Sequence, residues 1–224
     1  MVDVCALVPA GGRGTRLGRR VPKQFLRVAG VSILVTTVRR LRQHPGLSAV
    51  IVAAPDLWVA RTRRLLGAGD HRRPITVVPG GATRQESVWR ALQAAPATAE
   101  IVVVHDAVRP FITRALLEDV VTAAVEEGAA ICALPITETL KRVRDGLVEE
   151  TVDRSRLWSV QTPQAFRAAL LREAHDKARR DGIVGTDDAT LVERLGHRVR
   201  VVPGLPGNVK ITTPDDLRRA RGRA

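Results

Sequence analysis

The sequence predicts an α/β protein with a mostly parallel sheet flanked by helices and a β-hairpin arm that stands away from it. Short apolar runs rich in β-branched residues recur along the chain, and segments with apolar residues at helical spacing separate them. That alternation implies right-handed crossovers between parallel strands. A polar stretch at 138–153 breaks the pattern, and Asp145-Gly146 at its centre is a strong signal for a tight hairpin turn. A chain of 224 residues can bury one α/β core. With no internal repeat or low-complexity linker, a single domain over 1–224, carrying the arm at about 136–157, is the simplest organisation.

The first apolar run, residues 4–8, has the length of a buried parallel strand and leads into Pro9, Ala10 and four glycines at 11, 12, 14 and 18. A loop this rich in glycine lets a ligand approach the main chain, so that successive N–H groups point at phosphate oxygens. Arg13, Arg16 and Lys23 add cationic donors, and a polyphosphate is the expected ligand. A Walker-type loop is disfavoured because Thr15 and Arg16, not Lys and Ser or Thr, follow Gly14. A dinucleotide turn is disfavoured because Gly12, Gly14 and Gly18 are spaced one residue too wide and Thr36 and Thr37 stand where an acid belongs. The chain also has no tyrosine for a short-chain reductase. Nucleotidyl transfer remains.

Residues 31–43 read as a helix stopped by His44-Pro45-Gly46, and 49–54 as the second strand. Pro55-Asp56 opens a helix to about Leu66, and 75–78 form the third strand. Gly80 and Gly81 then turn into a helix carrying Arg84 and Ser87, whose start offers unpaired N–H groups. The strand at 101–104 ends in His105-Asp106-Ala107-Val108-Arg109-Pro110, at the strand end where ligands of open α/β sheets gather. A helix to about Glu127 and a strand at 129–134 precede the hairpin. Thr162-Pro163-Gln164 is placed at the entry of a helix, where Thr162 would cap it and donate to a phosphate. Thr186 starts another helix, either as its cap or facing a ligand. Strands at 199–202 and 209–212, a helix from Pro214 and an exposed basic tail at 218–224 complete the expectation.

The run PAGGRGTRLGRRVPKQ resembles the glycine loop of the 2-C-methyl-D-erythritol 4-phosphate cytidylyltransferase family, with Gly11 in place of a commoner alanine. GGxxRxxS at 80–87, HDAxRP at 105–110, TPQ at 162–164 and NxKxT at 208–212 resemble its further motifs in the same order. The resemblance implies a Rossmann-like sheet of the nucleotidyltransferase type and CTP as co-substrate with Mg²⁺. It implies nucleotide contacts from Pro9, Ala10, Gly11, Gly12, Gly14, Gly81, Arg84, Ser87 and Ala107, and catalytic roles for Arg16, Lys23, Arg154 and Lys210. Asp106, Thr139, Arg154, Thr162, Thr186 and Lys210 would hold methylerythritol phosphate, with Asp106 also facing the metal. His105 reads as a structural residue, and Arg109 as the partner of an acid. The arm would hook a second subunit of a homodimer and deliver Arg154 across the interface. A relative acting on ribitol 5-phosphate is the nearest alternative.

The net charge of +13 also fits a nucleic-acid-binding module. Against that, only 3% of residues are aromatic and the arginines are scattered over segments that read as exposed helix faces, so no nucleic-acid partner is expected. No apolar run reaches the roughly 18 residues a membrane helix needs. Asp3, with no cationic segment ahead of the first apolar run, argues against a secretory signal, so a cytoplasmic location is expected. Cys5 and Cys132, each inside an apolar run, read as buried free thiols.

Overall fold

A computed structural model describes residues 2–12, 21–67 and 73–222. In chain order the elements are β1 (Val4–Pro9), β2 (Arg27–Val28), β3 (Val31–Ser32), α1 (Ile33–Leu41), β4 (Leu47–Ala54), α2 (Val59–Gly67), β5 (Ile75–Pro79) and α3 (Arg84–Gln93). They continue with β6 (Ile101–Val104), α4 (Arg114–Glu127), β7 (Ala129–Pro135), β8 (Leu140–Arg144), β9 (Leu147–Val152), β10 (Trp158–Arg167), α5 (Ala168–Arg180), α6 (Asp188–Glu193), β11 (Arg200–Pro203) and α7 (Pro214–Arg221).

Seven strands form one sheet in the order β11-β7-β10-β6-β1-β4-β5, in which only β10 runs antiparallel to its neighbours. Strand β1 is buried on both faces, which is why its sequence is continuously apolar. Its side chains still alternate. Val4, Ala6 and Val8 meet Leu34 and Val38 of α1 and Leu117 and Val120 of α4, whereas Cys5 and Leu7 meet Val88 and Leu92 of α3 and Leu171 of α5. A smaller cluster joins Leu217 and Ala220 of α7 to Leu26, Val28, Val108 and Ile211, so the closing helix braces the loop after β6. The order places β4 on one side of β1 and β6 on the other, which makes the carboxyl ends of β1 and β6 a topological switch point.

The expected strands and helices up to β7 are present within a few residues of their predicted ends. Helix α1 begins at Ile33, because Ala29 and Gly30, both at positive φ, close a small β2–β3 hairpin first and the Ser32 hydroxyl then caps the helix. The polar hairpin is also present: Asp145 (φ 51°) and Gly146 (φ 81°) turn β8 into β9.

The second half departs from expectation in four places. Thr162-Pro163-Gln164 lies inside β10, and the following helix starts only at Ala168. A proline is tolerated there because the register against β7 slips between Val160 and Gln164, so Pro163 falls where the ladder is interrupted. Asp187, not Thr186, caps α6, since its carboxylate accepts the Thr190 N–H at 2.9 Å and the Thr190 hydroxyl at 2.7 Å. Residues 209–212 join no sheet; Ile211 donates its N–H to the Val108 carbonyl at 3.0 Å, which ties the segment to the loop after β6. Residues 218–221 are the end of α7 and not a tail; Arg218, Arg219 and Arg221 are exposed as expected, and Ala220 turns inward.

Candidate active site

The site is built at the switch point, where loops from β1, β5, β6 and β10 converge with Lys210 and α6. Pro9 ends β1, and Ala10 continues it by donating its N–H to the Ala53 carbonyl at 2.8 Å. The described part of the glycine loop then packs on the β5–α3 turn. A Cβ on Gly11 would lie 2.7 Å from the Ser87 hydroxyl and 3.5 Å from the Gly81 carbonyl, so the missing methyl makes room for Ser87. That hydroxyl accepts the Gly81 N–H at 3.0 Å and donates to the Thr83 carbonyl at 2.9 Å, which holds Gly81 against the loop. Gln24, buried directly after Lys23, donates its amide to the carbonyls of Ala10 and, at 3.2 Å, Gly12. Pro9, Ala10, Gly11, Gly81 and Ser87 are thus one packed unit, to which Gln24 ties the exposed Gly12, with Lys23 on the short 3-10 turn that supplies Gln24. Gly14 and Arg16, with Arg13 and Gly18, lie outside the described residues.

Beside this unit is a cavity of about 370 Å³ lined by Arg84, Asp106, Arg109, Thr162, Thr186 and Lys210, together with Gln164, Asp187, Thr190 and Glu193. Asp106 is its hub. Its Oδ1 accepts from Arg84 Nε at 3.2 Å, and its Oδ2 lies 2.8 Å from Lys210 Nζ and 3.6 Å from Arg109 Nε. Burial alone would raise the carboxyl pKa, but Arg84 and Lys210, then Arg109, outweigh it and hold Asp106 far below the usual carboxylate range. Arg109 is fixed in turn by donating to the Asn208 carbonyl at 2.8 Å, and the acid it was expected to pair with is Asp106.

His105 behind this hub is wholly buried, and burial pushes its pKa down to about 4 against the opposing hydrogen bond to Arg109. Its contacts fix the tautomer. Nε2 faces the Arg109 carbonyl at 3.0 Å, and a carbonyl only accepts, so Nε2 carries the proton. Nδ1 is therefore an acceptor, and Thr162, 3.1 Å away, donates its hydroxyl proton there while accepting the Asp106 N–H at 3.0 Å. In this arrangement Thr162 has no proton left for a phosphate and sits on a strand rather than at a helix N-terminus, so the donor role expected from its position is corrected to support of the Asp106 backbone.

The remaining expected residues divide. Thr186 is on the cavity, half tied to Thr190 by a 3.2 Å hydroxyl contact. Ala107 is buried, its carbonyl held by the Thr37 hydroxyl at 3.2 Å. Thr139 and Arg154 are exposed at the base of the arm and do not line the cavity within one chain. Sequence reasoning passed over Gln24, Gln164 and Asp188. The motif PKQ drew attention to Gln24 only as a family marker, and a glutamine within TPQ gave no sign that it would be buried and bonded to Asp187 at 2.7 Å.

The site does not fit a resident metal as the side chains stand. No three His, Cys, Asp or Glu side chains among the described residues are grouped to hold one, and both oxygens of Asp106 already face cations. The metal role expected for Asp106 is therefore not supported by its donor set, because a hard cation would have to displace a lysine or an arginine.

A mostly parallel sheet with two glycine turns, a cationic cavity and an acidic hub at its switch point defines a nucleotidyltransferase-type α/β protein. The family model for 2-C-methyl-D-erythritol 4-phosphate cytidylyltransferase matches residues 4–222. A relative of that name from Symbiobacterium thermophilum is 48% identical over 221 residues, covering 98% of this chain and 92% of its own. A solved structure of that name from Thermus thermophilus is 39% identical with a TM-score of 0.82, covering 99% of this chain and 98% of its own. A 4-diphosphocytidyl-2C-methyl-D-erythritol synthase from Anaerococcus prevotii, 28% identical, superposes with a TM-score of 0.87 over 99% of this chain and 98% of its own. The chain belongs to the 2-C-methyl-D-erythritol 4-phosphate cytidylyltransferase family.

Proposed function

We propose that the chain transfers the cytidylyl group of CTP to 2-C-methyl-D-erythritol 4-phosphate, giving 4-diphosphocytidyl-2-C-methyl-D-erythritol and pyrophosphate. The observation that carries this reading is the pairing of a glycine-lined phosphate cradle with an adjoining cavity whose hub, Asp106, holds Arg84, Arg109 and Lys210 together. An oxygen of the acceptor phosphate attacks the α-phosphorus of CTP; a new P–O bond forms as the bond to the β-phosphate oxygen breaks. The nucleophile is already an anion, so no general base is needed, and a His105 kept neutral is consistent with that. The barrier is the approach of two anions, and positioning with charge neutralisation lowers it.

Lys23 and Arg16 stabilise the α-phosphoryl transition state in this account, and Pro9, Ala10, Gly11, Gly12, Gly14, Gly81, Ser87 and Ala107 seat the nucleotide. Arg84, expected among these contacts, has its guanidinium on Asp106 and Asp188 beside the acceptor cavity and is assigned to that side instead. Lys210 grips the acceptor phosphate; its half-exposed ammonium can turn from Asp106 toward an incoming dianion. Thr186 and Asp106 line the same acceptor cavity. Any Mg²⁺ requirement is assigned to the triphosphate itself, with no protein cage. Thr139 and Arg154 complete the site of a second subunit in a homodimer. Supporting this is the arm's exposed apolar surface, with Val143 55%, Leu147 74% and Val148 61% accessible, which a solitary hairpin would leave in water. Among the described residues no helix is long and apolar enough to cross a membrane, and a cytoplasmic reaction goes with this reading.

Replacing Lys23 by Ala tests the mechanism. It should lower kcat by about 10²- to 10³-fold with little change in the KM for CTP. Turnover within a few-fold of the parent would remove Lys23 from the transition state.

A further inference from the structure

Behind the acceptor cavity lies a chain of alternating charges that sequence reasoning did not identify. Arg84 spans two carboxylates: Nε reaches Asp106 at 3.2 Å, and Nη1 reaches Asp188 Oδ2 at 2.7 Å. Asp188 is the first residue of α6 and is only 1% exposed. Its other oxygen, Oδ1, takes a hydrogen bond from Nε2 of His175, a fully buried residue of α5, at 3.1 Å. Gln164 of β10 holds the backbone here, accepting the Asp188 N–H at 3.3 Å while donating to Asp187 at 2.7 Å.

We propose that Asp188 is a positioning residue for cytidylyl transfer: it fixes Arg84 so that the guanidinium holds Asp106, and through Asp106 sets the place of Lys210. The proposal deepens the functional reading above and rests on it for its kinetic arm. Three features carry it. Arg84 is a long, partly exposed side chain, 29% accessible, that would sample many rotamers without a partner at its far end. Asp188 supplies that partner from a buried position, where an ionised carboxylate is costly unless fully paired, and both of its oxygens are paired. Asp106, the next link, is the same carboxylate that holds Lys210 at 2.8 Å. A shift of Arg84 therefore reaches the acceptor phosphate through two contacts, without Asp188 touching a substrate.

The bland alternative is a buried ion pair that only fastens α3 to α6. It predicts a lower melting temperature and unchanged kinetics per folded molecule. Asp188→Asn separates the two because it keeps the shape and removes the charge. In the folded variant, confirmed by circular dichroism, kcat/KM for methylerythritol phosphate should fall about tenfold to a hundredfold while the KM for CTP moves less than about threefold. Arg84→Lys, whose single ammonium cannot span both carboxylates, should show a comparable loss and serves alone if Asp188→Asn does not fold. The double variant Arg84→Lys with Asp188→Asn should lose no more than the larger of the two single losses, because both break one linkage. Independent of turnover, the Arg84 Nε–H resonance should be slow to exchange in the ligand-free parent and lost to exchange in Asp188→Asn. Parent-like kinetics in folded Asp188→Asn, losses that multiply in the double variant, or an unchanged Arg84 resonance would each overturn the proposal. A parent enzyme inert toward both substrates would refute the functional reading instead, and the resonance would still decide whether Asp188 fixes Arg84.

Discussion

Single residues decide the protonation pattern of this site, and His105 shows how. One carbonyl contact fixes its tautomer, the tautomer commits the Thr162 proton, and Thr162 then carries the Asp106 N–H. The same residue sets a pH dependence. Its pKa falls from an ordinary 6.5 to about 4 in the fold, so the folded state disfavours its protonation. The stability this contributes is whole above 6.5 and is lost as pH falls from 6.5 toward 4; Asp106 and Asp188, both shifted down from 3.8, add their losses only below that value. Urea unfolding across pH 4–8 should show this slope, and His105→Gln, which keeps a donor for Arg109 and an acceptor for Thr162, should remove up to about 1.4 kcal/mol per pH unit of it. An unaltered slope would mean that His105 is not the titrating group. Thr162→Val should cost about 1–3 kcal/mol, because it leaves a buried N–H and a buried ring nitrogen unpaired. At this scale the sequence was legible for residues whose chemistry is carried by type and motif: Asp106, Arg109 and Lys210 do meet. It was silent on Asp188 and Gln164, since a buried partner across tens of residues leaves no local spacing signal.

At the level of elements, the strands with continuous apolar runs could be read almost to the residue, because burial on both faces leaves no other solution for β1, β4 and β6. β10 was missed because its middle, Gln161-Thr162-Pro163-Gln164, imitates a helix entry; its pairing with β6 and β7 is a tertiary fact. The arm was found through the polar stretch at 138–153 and Asp145-Gly146 within it, since the hairpin is otherwise exposed and buries little on its own account. In the proposed function its task belongs to a second subunit. Mixing Arg154→Ala chains with Lys23→Ala chains should restore partial activity, because a heterodimer has one site with both defects and one with neither. Demonstrated heterodimers without recovery would show that the arm serves its own chain.

Over the whole molecule, the sheet order places the glycine cradle after β1 and the Asp106 hub after β6 on adjacent strand ends, so a nucleotide and an acceptor are brought together by topology before any side chain is chosen. The surplus of positive charge, +13 by sequence, fits a protein whose two substrates are both phosphate anions. Family membership follows from nearly the full chain, and the pairing of this nucleotide with this acceptor is what that membership must deliver. The most direct measurement is pyrophosphate release with each of four nucleoside triphosphates against 2-C-methyl-D-erythritol 4-phosphate and ribitol 5-phosphate. CTP with methylerythritol phosphate should give the highest kcat/KM by a wide margin; a better rate with ribitol 5-phosphate, or with another triphosphate, would contradict the account.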